Sequence, residues 1–204
     1  MKVIGIVGGV ASGKSFVAGC LARLGARHLD ADRTGHEVLR EPEVKAQARH
    51  RWGETIFDSK GEIDRKKLAE IVFGDGISAR RERIYLEQLV HPRIRQRLES
   101  EIEAARAEQR PAVVLDAALL LESDWSTLCD SILFVYAPEA LRASRAAERG
   151  WTSTDWRRRE SSQMPVAEKQ AQSQAVIDNA GSAEETERQV RAYWDSLFAS
   201  DVSN

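Results

Sequence analysis

The run Gly8-Gly9-Val10-Ala11-Ser12-Gly13-Lys14-Ser15 constrains this chain more than any other stretch. It has the form G-x-x-x-x-G-K-S. Glycines in such a run reach backbone angles that other residues resist, so successive N–H groups can turn inward onto one anion. A helix starting just after it adds its positive N-terminal end. Lys14 is then placed to reach the β- and γ-phosphates of a nucleoside triphosphate, and the Ser15 hydroxyl to hold Mg. Short motifs of this kind arise by chance, so the flanks decide. Val3–Val7 is an apolar, β-branched run suited to a buried strand, and Ser15–Leu24 carries helical periodicity through Val17, Leu21 and Leu24. Strand, loop and helix follow in the order a phosphate-binding loop requires.

The 204 residues suffice for one domain that buries on the order of 70% of its unfolded surface. With 30 Lys+Arg against 32 Asp+Glu, the formal net charge of −2 gives no reason to expect nucleic acid as a partner. Cys20 and Cys129 lack metal-ligand spacing and are expected to be core thiols. The apolar run after Met1 is too short for a signal peptide and leads straight into the motif. No stretch approaches the ~20 apolar residues of a membrane span. The expected setting is the cytoplasm, without a membrane partner.

Further along, Gly25-Ala26-Arg27 should end the first helix, and His28-Leu29-Asp30 reads as a brief strand delivering Asp30 and Asp32 at its carboxyl end, where α/β proteins gather ligands. The alternative is that one aspartate caps a helix from Arg33 to Leu39. Helices are expected from Pro42 to about Trp52, from Asp64 to Phe73, and, after a break at Gly74-Asp75-Gly76, along a stretch interrupted at His91-Pro92 and resumed to about Gln109. An excursion this long between two strands suits a substrate-covering subdomain. Pro111–Asp116, Ser131–Tyr136 and Ala175–Asp178 are continuous apolar runs, the pattern of a parallel sheet covered on both faces. The segment after Pro138 carries Arg142, Arg145 and Arg149, with Arg145 and Arg149 four apart on one helix face, and then Arg157–Arg159. Taken alone these arginines would be a solvated face. Beside a phosphate loop they read as a lid that closes on transferred phosphate. A terminal amphipathic helix follows, with a tail from Ser200 expected to fray.

Strands alternating with helices around this loop give the α/β fold of P-loop nucleoside-triphosphate hydrolases, a central parallel sheet flanked by helices, with a helical substrate-binding insertion and a helical lid. The finer pattern resembles the dephospho-CoA kinase family. The resemblance runs from the phosphate loop through Leu29-Asp30-Ala31-Asp32, Gly61–Leu68 with Ile71-Val72-Phe73, and His91-Pro92-Arg93-Ile94. It continues through Asp116–Glu122, Arg159 with Gln163, and Val176-Ile177-Asp178-Asn179. Departures are Phe16 where the family usually has threonine, Ala118 for proline, Leu121 for phenylalanine or valine, and Ser173-Gln174 for Ala-Asp. Arg142 stands where glutamine is frequent, and Glu160 where the family has an aliphatic residue.

The resemblance implies transfer of phosphate from ATP, with Mg, to the ribose 3′-hydroxyl of 3′-dephospho-CoA. It makes Asp32 the candidate base, with Lys14 and Arg145 stabilising the transferring group. Gly8, Gly9, Val10, Ala11, Ser12, Gly13, Lys14, Ser15 and Phe16 would hold the nucleotide with Arg145, Arg149, Asn179 and Gly181, the Asn179–Gly181 turn lying beside the adenine; Ser15 would hold the metal. Asp30, Asp32, Arg65, His91, Leu119 and Arg159 would meet the acceptor, although His91 also reads as a plain helix-start residue. The implied division is a core (about 1–30, 111–140 and 174–204), a CoA-substrate subdomain (about 31–110) and a lid (about 141–173), in a monomer or weak homo-oligomer. Two other readings stand beside it. A kinase acting on another small acceptor, such as a nucleoside monophosphate, would need phosphate-binding arginines in the excursion. A non-catalytic nucleotide-responsive protein would leave the aspartates and arginines idle.

Overall fold

Four apolar runs and the largely polar Arg27–Asp30 form one parallel sheet in the computed structural model, which describes residues 1–74 and 76–199. Asp75, from the expected helix break, and the tail from Ser200 lie outside the described residues. The strands are β1 (Lys2–Gly8), β2 (Arg27–Asp30), β3 (Ala112–Asp116), β4 (Ser131–Tyr136) and β5 (Ala175–Asp178), ordered β2-β3-β1-β4-β5. Every pairing is parallel. Parallel neighbours need long crossovers, and helices supply them. The chain builds β2 and β3 on one side of β1, then crosses to the other side for β4 and β5. The carboxyl end of β1 therefore sits at the switch point, where such sheets leave a crevice for ligands.

One face of the sheet is covered by α1 (Lys14–Arg23) and α9 (Ala183–Ala199), whose Val17, Leu21 and Val190 bury against Ile4, Ile6, Val114, Leu133 and Val135. On the other face of β1, Gly5 is needed for space: a Cβ there would lie 2.6 Å from Leu120 Cδ2 and 2.9 Å from Cys129 Sγ. Cys20 is buried, while Cys129 is only partly so; both are free thiols, and burial pushes the Cys129 thiol up to about 12. Between β4 and β5 come α6 (Glu139–Glu148), α7 (Ser153–Ser161) and α8 (Val166–Ala171).

Two compact units emerge, one built from Met1–Asp30 and the described residues from Glu101 onward, the other from the described residues of Ala31–Ser100. The second contains α2 (Ala31–Val38), α3 (Pro42–Trp52), α4 (Arg65–Val72) and most of α5 (Ile77–Ala107). It has its own core of Ala48, Ile56, Phe57, Ile63, Leu68 and Val72. Asp64 caps α4, its carboxylate accepting from the N–H groups of Lys66 and Lys67. The turn before it is held by Asp58, which accepts from the N–H groups of Lys60 and Glu62 at 2.8 and 2.9 Å; these bonds hold its carboxyl below the usual range.

Beyond shifts of a residue or two at element ends, three differences from the sequence reading bear on the expected site residues. The helix after Asp30 starts at Ala31 rather than Arg33, so Asp32 lies within its first turn. The expected interruption at His91-Pro92 is absent, and α5 runs through Pro92. Proline removes one N–H bond from the helix, and a helix this long has many others to hold its course. The Arg93 guanidinium also donates to the Leu89 carbonyl at 2.9 Å, one turn back. Finally, α6 ends at Glu148 with Arg149 as its C-cap, because Gly150 turns the chain at φ 79°. Arg145 and Arg149 are therefore not both inside one helix.

Candidate active site

The loop after β1 is shaped by close approaches that only small residues allow. Ser12 N–H turns back to the Gly9 carbonyl at 3.1 Å, and Ala11 and Gly13 both take left-handed backbone angles, at φ 65° and 99°. A Cβ on Gly8 would lie 2.6 Å from both Ser12 Oγ and the Val135 carbonyl. One on Gly13 would overlap the Asn179 amide, and one on Gly9 would overlap the Arg142 guanidinium. The N-terminus of α1 follows at Lys14, with no side-chain cap on its first N–H groups, which suits an anion in that place.

Two residues from the far side of the sheet brace this loop at one atom. Asn179, directly after β5 and buried, donates to the Ser12 carbonyl at 2.8 Å; its own amide oxygen accepts from Thr186 Oγ1 at 3.0 Å. Arg145 donates to the same Ser12 carbonyl at 3.3 Å and to the Asn179 carbonyl at 2.9 Å. A guanidinium carries more N–H donors than these two bonds use. The Ser12 hydroxyl is buried and makes no hydrogen bond among the described residues. Beside this brace opens a cavity of about 520 Å³ lined by Gly13, Phe16, Arg145, Arg149, Asn179 and Gly181, together with Glu148 and Ala183. The nucleotide residues expected outside the phosphate loop thus meet in one place.

Strand order brings a further group to the loop. β3 is the neighbour of β1, so Asp116 at its carboxyl end meets the start of α1, and Ser15 Oγ donates to Asp116 Oδ2 at 3.1 Å. His28 Nε2 on β2 lies 3.8 Å from the same carboxylate, whose negative charge draws the imidazole pKa upward against the opposing effect of burial. A hydroxyl and a carboxylate are the hard oxygen donors a Mg ion takes. Such an ion needs only one or two protein ligands when phosphates supply the rest. Among the described residues no cluster of three or more metal-ligating side chains exists.

The remaining expected residues are placed less closely. Asp30 ends β2 opposite Asp116 in register and is exposed, and Leu119 lies in the partly buried segment after β3. Arg159, exposed on α7, has its guanidinium 4.4 Å over the Trp151 ring. Asp32, Arg65 and His91 belong to the second unit, where Arg65 meets His36 Nε2 at 2.5 Å. Burial draws the His91 pKa below its ordinary value, against the smaller opposing pull of Glu87. Trp156 on α7 is buried with Val10, Ala11 and Ala146.

Set beside known proteins, residues 2–185 match the family described as dephospho-CoA kinase. The chain belongs to the dephospho-CoA kinase family. A dephospho-CoA kinase of Geobacillus kaustophilus is 40% identical over 199 residues, spanning 95% of this chain and 97% of its own. The crystal structure of TT1252 from Thermus thermophilus superposes with a TM-score of 0.81 at 34% identity, covering 96% of this chain and 97% of that one. A dephospho-CoA kinase from Campylobacter jejuni shares the fold at a TM-score of 0.65 and 20% identity, covering 96% of this chain and 97% of its own. Within this dephospho-CoA kinase family chain, the sequence reading missed the Ser15–Asp116 contact, His28 and Thr186. Asp116 stands in the sequence at the carboxyl end of an apolar strand and in the Asp116–Glu122 block, which the resemblance puts near the acceptor; that it meets Ser15 depends on β3 lying next to β1.

Proposed function

We propose that this chain transfers the γ-phosphoryl group of ATP to the ribose 3′-hydroxyl of 3′-dephospho-CoA. The observation that carries the reading is the braced phosphate loop of a dephospho-CoA kinase family chain, opening beside a cavity that holds two arginines. The triphosphate lies in the loop from Gly8 to Phe16, on N–H groups other than those of Val10, Ser12 and Phe16, which are bonded within the protein, with the adenine in the cavity by Phe16 and Gly181. Lys14 reaches the β- and γ-phosphates. Arg145, held by Ser12 and Asn179, presents its remaining N–H groups to the charge that spreads over the transferring group. Ser15 and Asp116 would hold a Mg ion, which when bound neutralises phosphate charge.

On the acceptor side, the Asp32 carboxylate takes the proton of the 3′-hydroxyl as the new O–P bond forms. The bond from the γ-phosphorus to the bridging oxygen breaks, and ADP leaves with its electron pair. Such a base contributes about 10²–10⁴-fold. Asp30, Arg65, His91, Leu119 and Arg159 contact the acceptor, residues 31–110 form the subdomain that receives it, and residues 141–173 act as a lid. The protein works in the cytoplasm as a monomer or weak homo-oligomer. The absence of any described helix long and apolar enough to cross a membrane is compatible with that setting.

The test is steady-state turnover of dephospho-CoA by the wild type and by Asp32→Asn, with Mg-ATP affinity measured alongside. The wild type should yield CoA. The variant should lose about 10²–10⁴-fold in kcat while keeping its affinity for ATP. A wild type that binds ATP and leaves dephospho-CoA intact would refute the function, and an unchanged kcat in the variant would refute the base.

A further inference from the structure

The front half of the phosphate loop is held by a second set of contacts that the transfer chemistry does not use. Val10 N–H donates to Glu160 Oε2 on α7 at 2.8 Å, and the Val10 carbonyl accepts from Trp156 Nε1, one turn earlier on the same helix, at 3.3 Å. Both main-chain polar groups of one loop residue are therefore bonded to a single helix. The other oxygen of Glu160 accepts from the Arg142 guanidinium. That guanidinium also donates through Nε to the Ala137 carbonyl at 3.2 Å and lies 5.5 Å from the Trp156 ring centre. The Arg142 side chain is 7% exposed and that of Glu160 is 23%.

A carboxylate beside a loop built for polyphosphate is an electrostatic liability, and an unpaired one would repel the ligand. Arg142 cancels that charge and fills the space over Gly9 that a side chain there would take. What remains is the directional part, an acceptor aimed at Val10 N–H, next to Ala11 with its left-handed φ of 65°. We propose that Glu160 is a positioning residue for nucleotide binding: neutralised by Arg142 and seconded by Trp156, it seats α7 on Val10 and holds the phosphate loop in its anion-receiving shape. This deepens the proposed function and rests on its assignment of the loop to ATP.

The loop grips phosphate in the ground state and the transition state alike, so loosening it reads out chiefly in binding and KM rather than in kcat. The experiment compares Glu160→Ala, Glu160→Gln and Trp156→Phe by direct titration with Mg-ATP in the absence of acceptor, and by amide hydrogen exchange over residues 8–13. Losing a hydrogen bond to a charged acceptor should raise the Kd of Glu160→Ala by about tenfold or more and speed exchange at Val10. Glu160→Gln keeps one acceptor oxygen for Val10 N–H but turns its NH2 toward the Arg142 guanidinium, and should restore part of the affinity lost in Glu160→Ala. Trp156→Phe, which removes the bond to the Val10 carbonyl together with part of a buried ring, should shift both readouts the same way; it carries the test if Glu160→Ala does not fold. Unchanged or tighter ATP binding in Glu160→Ala, or equal losses in the alanine and glutamine variants, would overturn the proposal. The exchange comparison needs no ligand, so it judges the inference even if the wild type proves to bind something other than ATP.

Discussion

Asn179 shows how much of the site hangs on single atoms. It is buried, and its side chain links the Ser12 carbonyl to Thr186, so Asn179→Ala leaves a cavity and loses two hydrogen bonds. The expected cost is about 1–3 kcal/mol in urea unfolding, with weaker ATP binding. Gly13→Ala meets the same amide from the other side at a φ of 99°, and should abolish nucleotide binding in a direct titration. His91 gives a test by pH. Its folded-state pKa lies below the ordinary 6.5, so the unfolded chain takes up the proton first. The contribution is fully present above the unfolded value and is lost as pH falls through the folded one; unfolding of His91→Gln from pH 7 to 5 should show a flatter acid decline than the wild type. At this scale the phosphate loop was legible because its chemistry is local, eight successive residues with fixed roles. Contacts such as Ser15 to Asp116, or Glu160 to Val10, were not legible, since they join residues 101 and 150 positions apart that only strand order and helix packing bring together.

Among the elements, α5 offers the sharpest contrast between local rule and outcome. Proline in a helix interior costs about 3 kcal/mol relative to alanine, which is why the sequence reads as broken at His91-Pro92, yet the helix continues. Pro92 is exposed, so its replacement removes little packing. Pro92→Ala is therefore expected to stabilise the protein, by up to about 3 kcal/mol, as a higher urea midpoint at unchanged slope. A lower midpoint would mean that the ring stabilises the helix in some other way. β1, β3, β4 and β5 were legible because unbroken β-branched and apolar runs have few alternatives in a parallel sheet, whereas the short polar β2 carries little of that pattern. Helix ends were harder: the glycine at φ 79° that ends α6 before Arg149 acts through its backbone angle, which periodicity does not register.

For the molecule as a whole, the sheet order puts the end of β1 at the switch point, and the braces from α6, α7 and the turn after β5 all converge on the loop that leaves it. The family match extends from residue 2 to residue 185, nearly the whole span of these elements. The most direct measurement is ADP release with Mg-ATP, comparing dephospho-CoA with a panel of nucleoside monophosphates and a no-acceptor control, with the product identified by mass and by the position of its new phosphate. Turnover with dephospho-CoA alone, giving a phosphate on the ribose 3′-oxygen, is the expected result; turnover with a monophosphate in its place, or ATP binding with no acceptor used at all, would contradict it.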